Sequence, residues 1–218
     1  MKMNQRTYHD TPESPVDDSP TVYIDHQIGK RYVRCRLDTF DCSGDEPQAK
    51  CNAVVQCRDY VDAFREHHEA GRSLILIGPK GTGKDHLVSA VVREIAKRLG
   101  KPGAVVFRDG LSLFAEVKAT YDDHTRTDDV VEKYIRPVLL AISDPLPPVG
   151  ALSQHDQSVI LRIIDGRYRQ CLPLAVTVNC SSRKEMAERL GPQATDRLFD
   201  CAVVVPCNWK SYRKVFEL

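Results

Sequence analysis

Residues Gly78 to Leu87 read GPKGTGKDHL. The spacing of the glycines and the lysine is that of a loop that cradles a phosphate chain. Glycine lets successive backbone N–H groups curl around an anion, and a helix that follows presents the positive end of its dipole. A lysine at the end of the loop, here Lys84, reaches the outer phosphates. The pattern closes on Ser or Thr, whose hydroxyl ligates Mg²⁺. In this chain that position is Asp85. The stretch Gly78, Pro79, Lys80, Gly81, Thr82, Gly83, Lys84, Asp85 and His86 is the candidate nucleotide-binding segment, with a carboxylate where a hydroxyl belongs.

Such a loop works only between a buried strand and a helix. The run before it, SLILIG, is short and fully apolar, as a strand covered on both faces should be. The run after it, KDHLVSAVVREIAKRLG, has helical apolar spacing and closes on Gly100. The alternation continues. Strands are expected at AVVF (104–107), VLLAIS (138–143), LAVTVN (174–179) and AVVV (202–205). Helices are expected at LSLFAEVKATY, DDVVEKYI, HDQSVILRIIDGRYRQ and SRKEMAERL, the third with Val159, Ile160, Ile163, Ile164 and Tyr168 on its inner face. Upstream, NAVVQCRDYVDAFREHHEAG reads as one helix with Asn52 as N-cap, stopping at Gly71. Strands alternating with helices give an α/β domain with a parallel sheet covered on both faces, whose ligands sit beyond the carboxyl ends of the strands.

At those ends stand the other groups that could do phosphate chemistry. Ser143 and Asp144 end the third strand, where an acidic pair ordinarily holds Mg²⁺ and polarises the attacking water. Asn179 ends the fourth, placed to position a water or to cap the next helix. Arg197 and Arg213 come late, and an arginine can stabilise a transferring phosphoryl from its own subunit or from a neighbour.

Composition sets the frame. A chain of 218 residues is large enough for one domain with a real core. No apolar run approaches a membrane span and the start, MKMNQRTYHD, lacks a signal-peptide core, so a cytoplasmic protein with no membrane role is expected. The net charge of +1 carries no global nucleic-acid footprint, which leaves KRYVRCR (30–36) as the densest basic patch. The 8 cysteines show no close metal-ligand pairing and read as reduced thiols; a site from Cys35, Cys42, Cys51 and Cys57 is the weaker alternative. Residues 1–20 are polar and proline-bearing, and residues 1–30 are expected to be a disordered or extended tail before a domain over 31–218.

Four stretches together carry a resemblance: GPKGTGKDHL, VILRIIDGRYRQCLPLAVTVN, EMAERLGPQATDRL and VVVPCNWKSYR. In this order and spacing they resemble the AAA+ ATPases of the DnaC/DnaI helicase-loader and IstB transposition-helper family, over about residues 31–214. RYVRCRLDTFD resembles the segment before that family's first helix. The resemblance implies an AAA+-type P-loop fold, a three-layer sandwich around a parallel five-stranded sheet. It implies ATP with Mg²⁺, self-association into a ring or spiral, contact with single-stranded DNA, and a replicative helicase or a transposase as partner. By the same resemblance Lys84 is the P-loop lysine, Asn179 the sensor-1 residue, Arg197 the arginine finger offered to the next subunit, and Arg213 the sensor-2 arginine.

Three departures stand against that pattern: Asp85 in the loop, Ser143-Asp144 in place of Asp-Glu, and the proline-rich PLPPVGALSQ after them. Two readings follow. In one, hydroxyl and carboxylate have exchanged places, so that Asp85, Ser143 and Asp144 hold Mg²⁺, Asp144 serves as general base and ATP is hydrolysed slowly. In the other, Asp85 caps the helix N-terminus and the protein is a nucleotide-binding switch or scaffold without turnover. A small-molecule kinase on the same scaffold would add a lid with substrate-binding arginines between core strands, and no such insertion is present.

Overall fold

The expected apolar runs form strands β1 (Leu74–Ile77), β2 (Val105–Asp109), β3 (Leu139–Ser143), β4 (Leu174–Val178) and β5 (Val203–Pro206). The computed structural model describes residues 19–120 and 124–213. All strands pair in parallel in one sheet of order β2-β3-β4-β1-β5. The helices are α1 (Pro20–Ile28), α2 (Pro47–Asp62), α3 (Phe64–Glu69), α4 (Lys84–Leu99), α5 (Gly110–Lys118), α6 (His124–Ile135), α7 (Gln154–Arg169), α8 (Arg183–Leu190) and α9 (Pro192–Phe199).

Side chains of a strand alternate between its faces, and the strand residues divide accordingly into two cores. Ile75, Ile77, Leu140, Ile142, Val176 and Val178 pack with apolar residues of α5 to α9. Leu74, Leu76, Leu139, Ala141 and Ala175 pack with α1, α2 and α4 on the opposite face. The three layers are thus helix, sheet and helix. Ser143 has the parity of Leu139 and Ala141, and Thr177 that of Ala175. Both hydroxyls therefore point to the α4 side, and the register pairs them directly.

Four local expectations need correction. Residues 20–28 are not tail: they form α1, capped by the Ser19 side chain with Pro20 in the first turn, and Ile24 and Ile28 are buried against α4 and β2. Residues 1–18, where the rest of the expected disordered tail falls, lie outside the described residues. Asn52 is not an N-cap but lies one turn inside α2, which begins at Pro47; a proline at the first helical position has the φ a helix needs and no N–H to satisfy. The upstream helix is interrupted at Ala63, giving α2 and α3. Tyr168 is 47% exposed, and the inward position is Arg167, which is fully buried.

Arg167 donates to the carbonyls of Tyr134, Ile135, Pro137 and Pro173 at 2.6–3.1 Å. The guanidinium caps the negative end of α6 and ties it to the starts of β3 and β4. With no carboxylate beside it, burial pulls its pKa down to about 9.

Candidate functional site

Gly81 (φ 84°) and Gly83 (φ 86°) hold the left-handed conformations the loop needs. A Cβ on Gly83 would come within 2.7 Å of the Phe40 ring, and one on Gly81 within 2.0 Å of Ser211 Oγ. Only glycine lets these neighbours approach. Gly83 is also the N-cap of α4 and supplies no side-chain bond, so the cap leaves the first-turn amides of α4 to another acceptor. Lys84 is 5% exposed and its Nζ donates to the carbonyls of Gly78 and Pro79 and to Thr82 Oγ1. Burial pulls the pKa of this ammonium below its usual value. These neutral acceptors are ones that an incoming phosphate can replace with charge-assisted bonds.

The carboxyl-terminal segment holds the loop from above. Trp209 Nε1 donates to Thr82 O at 2.9 Å, and Tyr212 N to Gly81 O at 2.9 Å. Phe40 meets His86, Trp209 and Tyr212 edge to face at 5.3–6.2 Å between centroids. His86 Nε2 bonds the Arg36 carbonyl at 2.8 Å, and burial pulls the His86 pKa down. Phe40, His86 and Tyr212, backed by Trp209, wall a cleft of about 550 Å³ that also contains Lys80, Lys84, Asp85, Asp144, Thr177, Asn179 and Arg213. One wall is aromatic and the other is polar and cationic, which suits a base joined to a phosphate chain. Arg31 and Tyr32 of the basic segment line this cleft, and Arg36 turns onto the carbonyls of Val33 and Cys35.

The first two departures, Asp85 and the Ser143-Asp144 pair, meet at one point. Ser143 Oγ donates to Asp85 Oδ1 at 2.7 Å, and Thr177 Oγ1 donates to the same oxygen at 3.1 Å. β4 lies between β3 and β1, so Thr177 reaches both the loop after β1 and the end of β3. Asp144 sits at φ 46°, rare for a residue with a Cβ. Its N–H is held by Thr177 O at 3.0 Å and Thr177 Oγ1 at 3.1 Å. The turn brings its carboxylate to Asn179, whose Nδ2 donates to Oδ2 at 2.6 Å. Burial first, and then the charge of Asp85, push the Asp144 pKa up, against the pull of Lys80 and Lys84. Two carboxylates and the Ser143 hydroxyl form a hard-oxygen donor set that fits Mg²⁺.

The structure brings together Lys80, Gly81, Gly83, Lys84, Asp85, His86, Asp144, Asn179 and Arg213 around the cleft. Gly78, Pro79 and Thr82 support it through the Lys84 bonds, and Ser143 through Asp85. Arg197 lies elsewhere, bonded to Asp165 of α7 at 2.8 Å. Among the described residues, no group of three or more His, Cys, Asp or Glu side chains could hold a metal ion, so Cys35, Cys42, Cys51 and Cys57 do not form such a site. No described helix is long and apolar enough to cross a membrane. Sequence reasoning missed Thr177 and the aromatic wall. The one signal for Thr177 was a hydroxyl two residues before Asn179 in a fully buried strand.

Comparison with known proteins agrees with this fold. The family model described as "IstB-like ATP binding protein" matches residues 60–217. The replicative helicase loader DnaC of Escherichia coli K12 is 28% identical over 178 residues, covering 79% of this chain and 69% of its own. A crystal structure of the DnaC helicase loader superposes with a TM-score of 0.71 at 24% identity, covering 82% of this chain and 99% of that one. The replication initiator DnaA bound to AMPPCP and single-stranded DNA superposes at 0.62 with 15% identity, over 82% of this chain and 50% of its own.

Proposed function

The chain belongs to the IstB-like ATP-binding protein family, an AAA+ family, and from that premise we propose that it is an ATP-governed loader of a replicative helicase. ATP in the cleft favours self-association into an open ring or spiral on single-stranded DNA, and the assembly delivers the helicase to that strand. The observation that carries this reading over the transposition-helper branch is the likeness to helicase loaders across about four-fifths of the chain.

Within the site, Lys84 and the α4 amides hold the phosphates, and Arg213 adds a cation over the loop. Asp85, Ser143 and Asp144 would hold Mg²⁺, which supplies charge neutralisation at the phosphates when bound. Asp144, oriented and held ionised by the Asn179 amide, accepts the proton of the attacking water. Arg197 serves the nucleotide of the neighbouring subunit. The 2.7 Å contact between Asp85 and Ser143 supports the exchange of hydroxyl and carboxylate. One observation favours a second reading, a nucleotide switch without turnover: Asp85 Oδ1 is already taken by two hydroxyls of the strands.

The test mixes the purified chain, a replicative helicase hexamer and circular single-stranded DNA, with and without ATP. ATP-dependent recovery of helicase on the circle is expected. Failure with the helicase, together with ATP-dependent capture of a transposase, moves the protein to the other branch. Phosphate release measured in the same mixtures separates slow hydrolysis from a switch.

A further inference from the structure

We propose that Thr177 is the positioning residue of the metal site, the group that keeps the Asp85 carboxylate aimed while Ser143 is drawn to the cation. The inference rests on the Mg²⁺ reading given above.

Thr177 Oγ1 touches every residue assigned to the metal. It lies 3.1 Å from Asp85 Oδ1, 3.4 Å from Ser143 Oγ and 3.1 Å from the Asp144 amide nitrogen. A hydroxyl has one proton to give. The shorter contact and the negative charge assign that proton to Asp85, while a lone pair accepts the Asp144 N–H. That N–H already has a partner in Thr177 O at 3.0 Å. The hydroxyl is therefore not needed to satisfy the β3 backbone, and the bond specific to it is the one to Asp85. Thr177 is 1% exposed and held in a sheet register between β1 and β3, so the donor cannot drift.

Asp85 needs such a partner. In place of a short hydroxyl, the loop carries a carboxylate with an extra torsion, at the first turn of α4 and beside the phosphates it would repel. Two hydroxyls now share the work of fixing it. Ser143 is itself a ligand candidate: its oxygen can bind the cation through a lone pair while its proton stays on Asp85, but the direction of that O–H then follows the cation. Thr177, which is no ligand, is the anchor on Asp85 whose aim the sheet alone sets. Partners that hold a metal-binding carboxylate in place typically account for about 10–100-fold in metal affinity.

The test is binding, not turnover. A fluorescent ATP analogue is titrated onto the protein at rising Mg²⁺, and in EDTA. Thr177→Val keeps the shape and removes the hydroxyl, and the Asp144 amide keeps its carbonyl partner. We expect the Mg²⁺ concentration that half-tightens binding to rise by about 10–100-fold, affinity in EDTA to stay the same, and Thr177→Ser to restore the wild-type midpoint. Thr177→Cys, with a weak donor of similar size, should fall between and serves if the valine variant is misfolded. An unchanged midpoint in the valine or cysteine variant overturns the proposal. Asp85→Ala is the control on the metal reading. If it retains wild-type Mg²⁺ dependence, Asp85 is not a ligand and both ideas fall. If it loses that dependence while Thr177→Val does not, only the role of Thr177 falls.

Discussion

At the residue scale the question is whether Asp85 and Ser143 form one working unit. Their 2.7 Å bond couples them, and coupled neighbours do not contribute additively. Asp85→Thr leaves two strand hydroxyls facing a third, with a carboxylate lost from the metal's surroundings. Ser143→Asp puts a second carboxylate against Asp85, and like charges at that distance repel. The double variant restores the usual arrangement of hydroxyl on the loop and carboxylate on the strand. Each single variant is therefore expected to bind Mg·ATP about tenfold more weakly, and the double to recover most of that loss, a coupling of about 2–3 kcal/mol. Titration calorimetry on the four proteins reads this directly. Additive losses, with no hydrolysis by the wild type, leave the switch as the function of the site.

At the element scale, the carboxyl-terminal segment and the loop behave as one piece. The buried indole of Trp209 satisfies Thr82 O, and Tyr212 satisfies Gly81 O. Trp209→Phe keeps the aromatic contact with Phe40 and removes the N–H, leaving a buried carbonyl unpaired. The expected cost is about 1–3 kcal/mol, or a few degrees in the thermal midpoint, at about 2–4 °C per kcal/mol for a chain of this size. A several-fold loss of ATP affinity should accompany it, and an unchanged midpoint and affinity would show that the loop holds its shape unaided. This coupling explains what the sequence shows and hides. The loop glycines, the buried apolar strands and the helix closed by Gly100 are local patterns with local causes, and they stand where expected. Arg167 was hidden because apolar periodicity gives inward positions to Tyr168 and not to a guanidinium. The demand for it comes from carbonyls of α6 and the starts of two strands, far away in sequence. Thr177 was hidden for a similar reason: only the strand order places its hydroxyl between Asp85 and Ser143. Helix α1 was overlooked because its two buried residues, Ile24 and Ile28, set too short an apolar pattern beside a polar tail.

At the scale of the whole molecule, the last group to place is Arg197. It does not line the cleft; its Nη1 lies 2.8 Å from Asp165 Oδ1, while Arg169 Nη2 lies 2.8 Å from Asp165 Oδ2. If Arg197 serves a neighbour's nucleotide, it must leave Asp165, and Arg169 remains to keep that carboxylate neutralised. The pair is half-buried, 31% and 19% exposed, and keeps enough water contact for its net worth to stay near that of a surface pair, about 1 kcal/mol, small enough for a phosphate to outbid. Asp165→Asn removes the competing charge, so ATP-dependent self-association should begin at a protein concentration up to about fivefold lower. Arg197→Ala should raise that concentration while leaving the first ATP bound nearly as tightly. In the Arg197→Ala background, Asp165→Asn should change nothing, because the contact it relieves is gone. Sedimentation velocity across a protein dilution series with saturating ATP measures all four chains. If Arg197→Ala assembles like wild type, the arginine does not act across an interface. If it assembles poorly but Asp165→Asn shifts association equally with or without the arginine, Asp165 acts through surface charge and does not hold Arg197 back.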